Sequence, residues 1–165
     1  MINLDPSTLV FADVQAVAPV RPEQVPAGIT LLPQRPDNLC VGCGGANPFG
    51  LGLWFVQDAE GMVHTWVRPT ERMQGALSMT RGGYISLLLD ETMGKSLSSR
   101  GIKAPTATLQ VHFRRPMLLS ALYTVRSWID RIDGRKNMVR GEIRAVADPD
   151  RVIAEADALF ITVRS

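Results

Sequence analysis

Residues 81–94 read Arg81-Gly82-Gly83-Tyr84-Ile85-Ser86-Leu87-Leu88-Leu89-Asp90-Glu91-Thr92-Met93-Gly94. The helical period that begins here predicts a helix over residues 82–98, with Gly101 placed to end it. Tyr84, Ile85, Leu87, Leu88, Leu89 and Met93 make its first three turns apolar on nearly every side. A helix apolar all round is buried all round. At about 1.5 Å per residue it spans roughly 25 Å, the axis of a small domain.

On both sides of this helix the period changes to two. Upstream, Leu51, Leu53 and Phe55 alternate with Gly52 and Trp54, and Val63, Thr65 and Val67 alternate with His64, Trp66 and Arg68. Two short strands fit, joined by a turn at Asp58–Gly61. Downstream, Ala107, Leu109, Val111 and Phe113 share one face, and Thr106, Thr108, Gln110, His112 and Arg114 share the other. Leu119–Ile132 is a further run, Asp133-Gly134 signals a hairpin, and Lys136–Asp148 returns. Asp148-Pro149-Asp150 is expected to turn the chain into a last strand, Arg151–Arg164. The class is α+β: an antiparallel sheet of five to six strands curled around one central helix.

At 165 residues and 18.1 kDa the chain suits one domain. No stretch approaches the roughly 20 apolar residues of a membrane span. Asp5, Pro6 and Asp13 interrupt any secretory leader at the start, so a cytoplasmic protein is expected. Eighteen basic residues against sixteen acidic ones, interspersed, argue against a nucleic-acid partner. Six of the eleven prolines precede residue 37, which makes residues 1–38 an extended arm with at most one short helix around Pro6–Val14. Val10, Phe11, Val14, Val17 and Val20 would let that arm dock; a disordered tail is the alternative. Residues 39–165 form the domain proper.

Asp90 stands out chemically. Mid-helix among Leu87, Leu88, Leu89 and Met93, it is expected to lose water, which makes it a candidate for chemistry. Glu91 has Lys95 four residues on and is expected to form an exposed ion pair. Cys40 and Cys43 are half of a structural zinc site with no second cysteine pair, so a packing or turn role is expected and no metal. No Gly-x-Ser-x-Gly elbow appears.

Residues 81–94 resemble the central helix of hotdog-fold acyl-CoA thioesterases of the phenylacetate-pathway type, which typically read His-Gly-Gly, six residues, then an acid. Cys40-Val-Gly-Cys43-Gly-Gly-Ala-Asn47-Pro48-Phe-Gly50-Leu51-Gly-Leu53 is similar to the segment that opens many members. Thr106-Ala-Thr-Leu-Gln-Val-His-Phe-Arg-Arg115-Pro116 is similar to their strand after the helix. The resemblance covers residues 39–164 and implies a hotdog fold hydrolysing an acyl-CoA or acyl-carrier thioester without a cofactor. It assigns water activation or direct attack to Asp90. The backbone amides of Gly82 and Gly83, at the helix N-terminus, would hold the developing oxyanion. Gln74 would hold the carbonyl or the water, and a hydroxyl from Thr106 or Thr108 would position it. Arg114 and Arg115 would meet the CoA phosphates. Arg81 replaces the usual histidine; always protonated, it can donate to the carbonyl or to a substrate carboxylate but cannot serve as a base. The resemblance also implies a homodimer or homotetramer with sites between subunits. The alternatives are a noncatalytic acyl-thioester-binding protein and a hotdog dehydratase or hydratase.

Overall fold

The computed structural model describes residues 25–163. The helix expected around Pro6–Val14 lies outside them. The elements run β1 (Thr30–Leu31), β2 (Val56–Gln57), β3 (Val63–Val67), α1 (Gly82–Ser98), β4 (Thr106–Phe113), β5 (Tyr123–Asp133), β6 (Lys136–Ala145) and β7 (Asp148–Ile161). Seven strands make one antiparallel sheet in the order β1-β2-β3-β5-β6-β7-β4, and α1 lies in its concave face. This is the hotdog arrangement.

The helix occupies the expected residues. Gly101, at φ +73°, ends it, and the N–H of Ile102 returns to the Leu97 carbonyl. Its buried side is Ile85, Leu88, Leu89, Thr92, Met93, Ser96 and Leu97. The opposite side departs from the expectation of burial all round: Tyr84, Leu87 and Asp90 are only half-buried, because the chain's own sheet wraps one side of the helix.

Contact with the sheet is closest where its side chains are smallest. Ser127, Gly141 and Ala156 stand in register on β5, β6 and β7. Ser127 Oγ donates to the Thr92 carbonyl at 2.8 Å and shares a 2.6 Å hydrogen bond with Ser96 Oγ. A Cβ on Gly141 would stand 3.1 Å from Met93 Cγ and 3.3 Å from Leu89 Cδ2.

Several strand boundaries differ from the sequence expectation. Residues 51–55 are extended but unpaired as a strand, because their N–H groups are drawn to a loop: Leu51 donates to Val41 and Leu53 to Gly42. Leu53 and Phe55 still enter the core. The β5 ladder starts at Tyr123 rather than Leu119, after Ser120 takes φ +65°. The β6–β7 turn falls at Val146–Ala147, not Asp148-Pro149-Asp150. Ala145 pairs with Asp148 and Arg144 with Val152, so Pro149–Arg151 bulge out of the ladder, where proline costs no sheet hydrogen bond. The Asp133-Gly134 hairpin forms as expected, Asp133 pairing with Lys136 and Gly134 at φ +56°. The strand count rises to seven because Thr30–Leu31, within the proline-rich arm, pairs with β2 while Val25, Ile29 and Leu31 pack against Val56 and Trp66.

The Asp58–Gly61 turn also forms. Asp58 Oδ1 accepts from the N–H groups of Glu60 and Met62, and Oδ2 lies 2.9 Å from His64 Nε2. Burial pushes the His64 pKa below its usual 6.5, outweighing the opposing effect of its hydrogen bond to the Asp58 carboxylate. The neutral ring therefore donates a hydrogen bond here instead of forming an ion pair.

Two outcomes follow from these contacts. Gly141→Val forces two extra methyl groups against Leu89 and Met93 and should lower stability by about 1–3 kcal/mol in urea unfolding; an unchanged midpoint would show that the helix can lift off the sheet freely. For His64 the native state binds fewer protons than the unfolded chain below pH 6.5, so its contribution is complete above that pH and is lost as pH falls toward the lowered native value. Melting temperature should drop across that window. The drop should be shallower in His64→Gln, and an identical slope in both proteins would remove His64 as its source.

Candidate functional site

The half-clad side of α1 carries Asp90. Thr106 Oγ1 donates to Asp90 Oδ1 at 2.7 Å. Strict alternation would put Thr106 on the same side as Thr108, but a β-bulge intervenes: Thr106 pairs with Phe160 and Thr108 with Leu159, leaving Ala107 as the extra residue. Thr106 thus shares the helix side with Leu109 and Val111, whereas Thr108 falls on the outer face with Gln110 and His112. Asp90 is less dehydrated than its apolar neighbours suggest, since the strand beside it is the exposed sheet edge β4.

The start of α1 is built differently. Arg81 is the N-cap in extended conformation and offers no side-chain cap. Its carbonyl takes the N–H groups of Tyr84 and Ile85, and among the described residues those of Gly82 and Gly83 are left as the orphan donors of the first turn. A Cβ on Gly82 would touch Phe113 at 3.4 Å, while one on Gly83 would meet nothing within 4 Å. The chain's own packing therefore does not demand glycine at 83. Gly75 does fill a tight place, since a Cβ there would stand 2.9 Å from Arg81 Cα. Gln74, beside it, is exposed and forms an isolated bridge with Thr80.

A groove of about 330 Å³ runs beside this helix start, lined by Thr80, Gly82, Ile85, Phe113, Arg114 and Arg115, among others. Nothing in the sequence points to Thr80, a buried threonine whose hydroxyl lacks a partner among the described residues. Arg114 pairs loosely with Glu155 at 3.5 Å, both about half exposed, and Arg115 Nη1 donates to the Val152 carbonyl at 2.8 Å.

The site residues thus form two groups in one chain. Arg81, Gly82, Gly83, Gln74, Arg114 and Arg115 gather around the helix start. Asp90 and Thr106 sit two turns further along; eight residues of helix put about 12 Å between the levels of Gly82 and Asp90.

Glu91 is corrected outright. It is not an exposed charge: its ion pair with Lys95, at 3.9 Å, is largely covered. Glu91 Oε2 accepts from Cys40 Sγ at 3.3 Å, under the loop that holds both cysteines. His64 is engaged with Asp58, and neither histidine joins that cluster.

Among the described residues, no helix is long and apolar enough to cross a membrane. No family model matches the chain. Acyl-coenzyme A thioesterase THEM4 of Mus musculus is 35% identical to it over 89 residues, 54% of this chain and 38% of that protein. The chain spans less than half the length of the THEM4 relatives it matches. Among solved structures, the thioesterase superfamily protein RHA08564 superposes with a TM-score of 0.70 at 27% identity, over 74% of this chain and 60% of that one. The PaaI protein from the phenylacetic acid degradation operon of E. coli shares the fold, with a TM-score of 0.64 at 17% identity over 70% of this chain and 82% of its own. With a curled sheet around one helix and the three sequence motifs in order, the chain has the hotdog fold and is similar to acyl-CoA thioesterases over part of their length.

Proposed function

We propose that the protein hydrolyses an acyl-CoA thioester at a site shared by two copies of the chain. The observation that carries this reading is the Thr106–Asp90 hydrogen bond on the uncovered side of α1. One carboxylate oxygen is fixed by a neutral hydroxyl, which leaves the other for a water molecule or for the thioester carbon. Asp90 takes a proton from water as it attacks the carbonyl carbon, or attacks directly to form an anhydride that water then opens. In either case the C–S bond breaks, and the thiol leaves with a proton as the carboxylate forms. The carbonyl oxygen gains negative charge on the way, and the free N–H groups of Gly82 and Gly83 suit it.

Both groups cannot serve one carbonyl from a single helix, because about 12 Å separates them along its axis. Two helices packed antiparallel through their half-buried sides would set the glycines of one against Asp90 of the other. A homodimer, or a homotetramer built from two such dimers, meets that need. Arg114 and Arg115 beside the groove suit the phosphates of CoA. Arg81 and Gln74 stand near enough to the helix start to orient the acyl carbonyl. The name borne by the THEM4 relatives, acyl-coenzyme A thioesterase, agrees with this substrate class.

The test is thiol release from a panel of acyl-CoAs, with the thermal shift caused by free CoA measured alongside. A shift without turnover would favour an acyl-thioester-binding protein instead, and a monomer by light scattering at micromolar concentration would overturn the shared site. Asp90→Asn should keep the melting temperature and lose at least about a hundredfold in turnover. Thr106→Val, which removes one hydrogen bond to a charged group, should cost about tenfold. Thr106→Ser should recover most of it, and equal turnover in all three would exclude Asp90 from the chemistry.

A further inference from the structure

We propose that Cys40, Cys43 and Glu91 form a site for a thiolate-preferring divalent cation, zinc foremost, that fastens the loop of residues 39–50 to the central helix. The three ligand atoms lie within 4.8 Å of one another, and Cys40 Sγ is 3.3 Å from Glu91 Oε2. In a tetrahedral zinc site, sulfur at about 2.3 Å and oxygen at about 2.0–2.2 Å place neighbouring ligand atoms roughly 3.5–3.8 Å apart. Rotamer adjustments of about an ångström would bring the three side chains onto one ion. The sequence offered only the cysteine pair; the fold adds the third ligand from 48 residues downstream of Cys43, on α1.

The loop is shaped around that carboxylate. A Cβ on Gly42 would stand 2.6 Å from Glu91 Cγ, so glycine is what admits Glu91 between the two cysteines. The loop closes on itself at Gly44, whose N–H donates to the Cys40 carbonyl at 2.9 Å; a Cβ there would stand 2.3 Å from the Asn38 carbonyl oxygen. Asn38 Oδ1 accepts the Cys40 N–H at 2.6 Å and fixes the first cysteine. Packing alone would be served by small apolar side chains at 40 and 43. Two thiols closing over a half-buried carboxylate are a ligand set.

Charge supports a dication as well. Without metal, the two protonated thiols, the Glu91 carboxylate and the Lys95 ammonium sum to zero. Exchanging two thiol protons for one Zn²⁺ leaves the sum at zero, and Lys95, 3.9 Å from Glu91 and over the Phe55 ring, stays as the counter-charge. Cys40 is half-buried, so its side of the cluster is open to a water molecule as fourth ligand.

The experiment uses the full chain, reduced and stripped with chelator, then titrated with Co²⁺ and with Zn²⁺. One cobalt ion per chain should bind with thiolate-to-metal charge-transfer absorption, and zinc should displace it. About two protons should be released per zinc at neutral pH, and zinc should raise the melting temperature. Cys40→Ser, at a half-exposed position that tolerates the change, should abolish the charge-transfer band, and Glu91→Gln should weaken zinc at least tenfold. No charge-transfer band in the wild type, a band undiminished in Cys40→Ser, or unchanged affinity in Glu91→Gln would overturn the site. None of these readouts is turnover, so the outcome stands apart from that of the thioesterase reading.

Discussion

The closeness of α1 to the sheet over Ser127, Gly141 and Ala156 is the constraint on which the rest depends. A helix packed on ordinary side chains is held off the sheet by their bulk. Over a serine, a glycine and an alanine in register it can settle deeper, and the sheet must then curl around it to bury Ile85, Leu89, Met93 and Leu97. The Ser127 hydroxyl, donating to the Thr92 carbonyl and paired with Ser96, fixes the helix along its axis as well as in depth. Once depth and position are set, Gly82 lies against Phe113 and Asp90 comes level with Thr106. The geometry of the candidate site is a consequence of core packing.

A curled sheet of this width still covers only part of a helix. Leu87, Tyr84 and Asp90 remain half-buried, and β4, the strand beside them, is an unpaired edge. The bulge at Ala107 exploits that edge: with no neighbour among the described residues on its outer side, β4 can take an extra residue without disturbing a second ladder. The extra residue turns Thr106 inward to the carboxylate. Edge position, bulge and acid–hydroxyl pair are one feature, and each would be hard to keep without the others.

Much of this was legible in the sequence because it rests on local rules. The helix limits followed from an apolar period and a terminal glycine, and the β5–β6 hairpin followed from Asp133-Gly134. What escaped was set by contacts distant in sequence. The alternation of Thr106 and Thr108 carries no trace of the bulge that parts them. Glu91 read as a surface acid, since its neighbour Lys95 accounts for it within the helix; only the fold brings Cys40 over it. The proline at 149 read as a turn, but a bulge next to a two-residue turn satisfies the same steric demand. The side of the helix that read as fully buried is covered only halfway, because sequence period reports apolarity and not how far the sheet reaches around the helix.

The way acids are partnered separates Asp90 from the others. Five acidic side chains among the described residues are buried or half-buried: Asp58, Asp90, Glu91, Glu142 and Glu155. Glu142 is clasped by Arg126 and Arg144, the latter at 2.9 and 3.0 Å, and although burial raises its pKa, the hydrogen bonds of Arg144 and the field of Arg126 carry it below the usual value. Glu155 has Arg114, Glu91 has Lys95, and Asp58 has a histidine and two backbone N–H groups. Among the described residues, no cation lies within ion-pair distance of Asp90, and the Thr106 hydroxyl is its hydrogen-bond partner. An acid that serves structure is neutralised where it stands, because a buried uncompensated charge is costly. One held by a single neutral donor keeps a free oxygen, which a base or nucleophile requires and a structural acid does not.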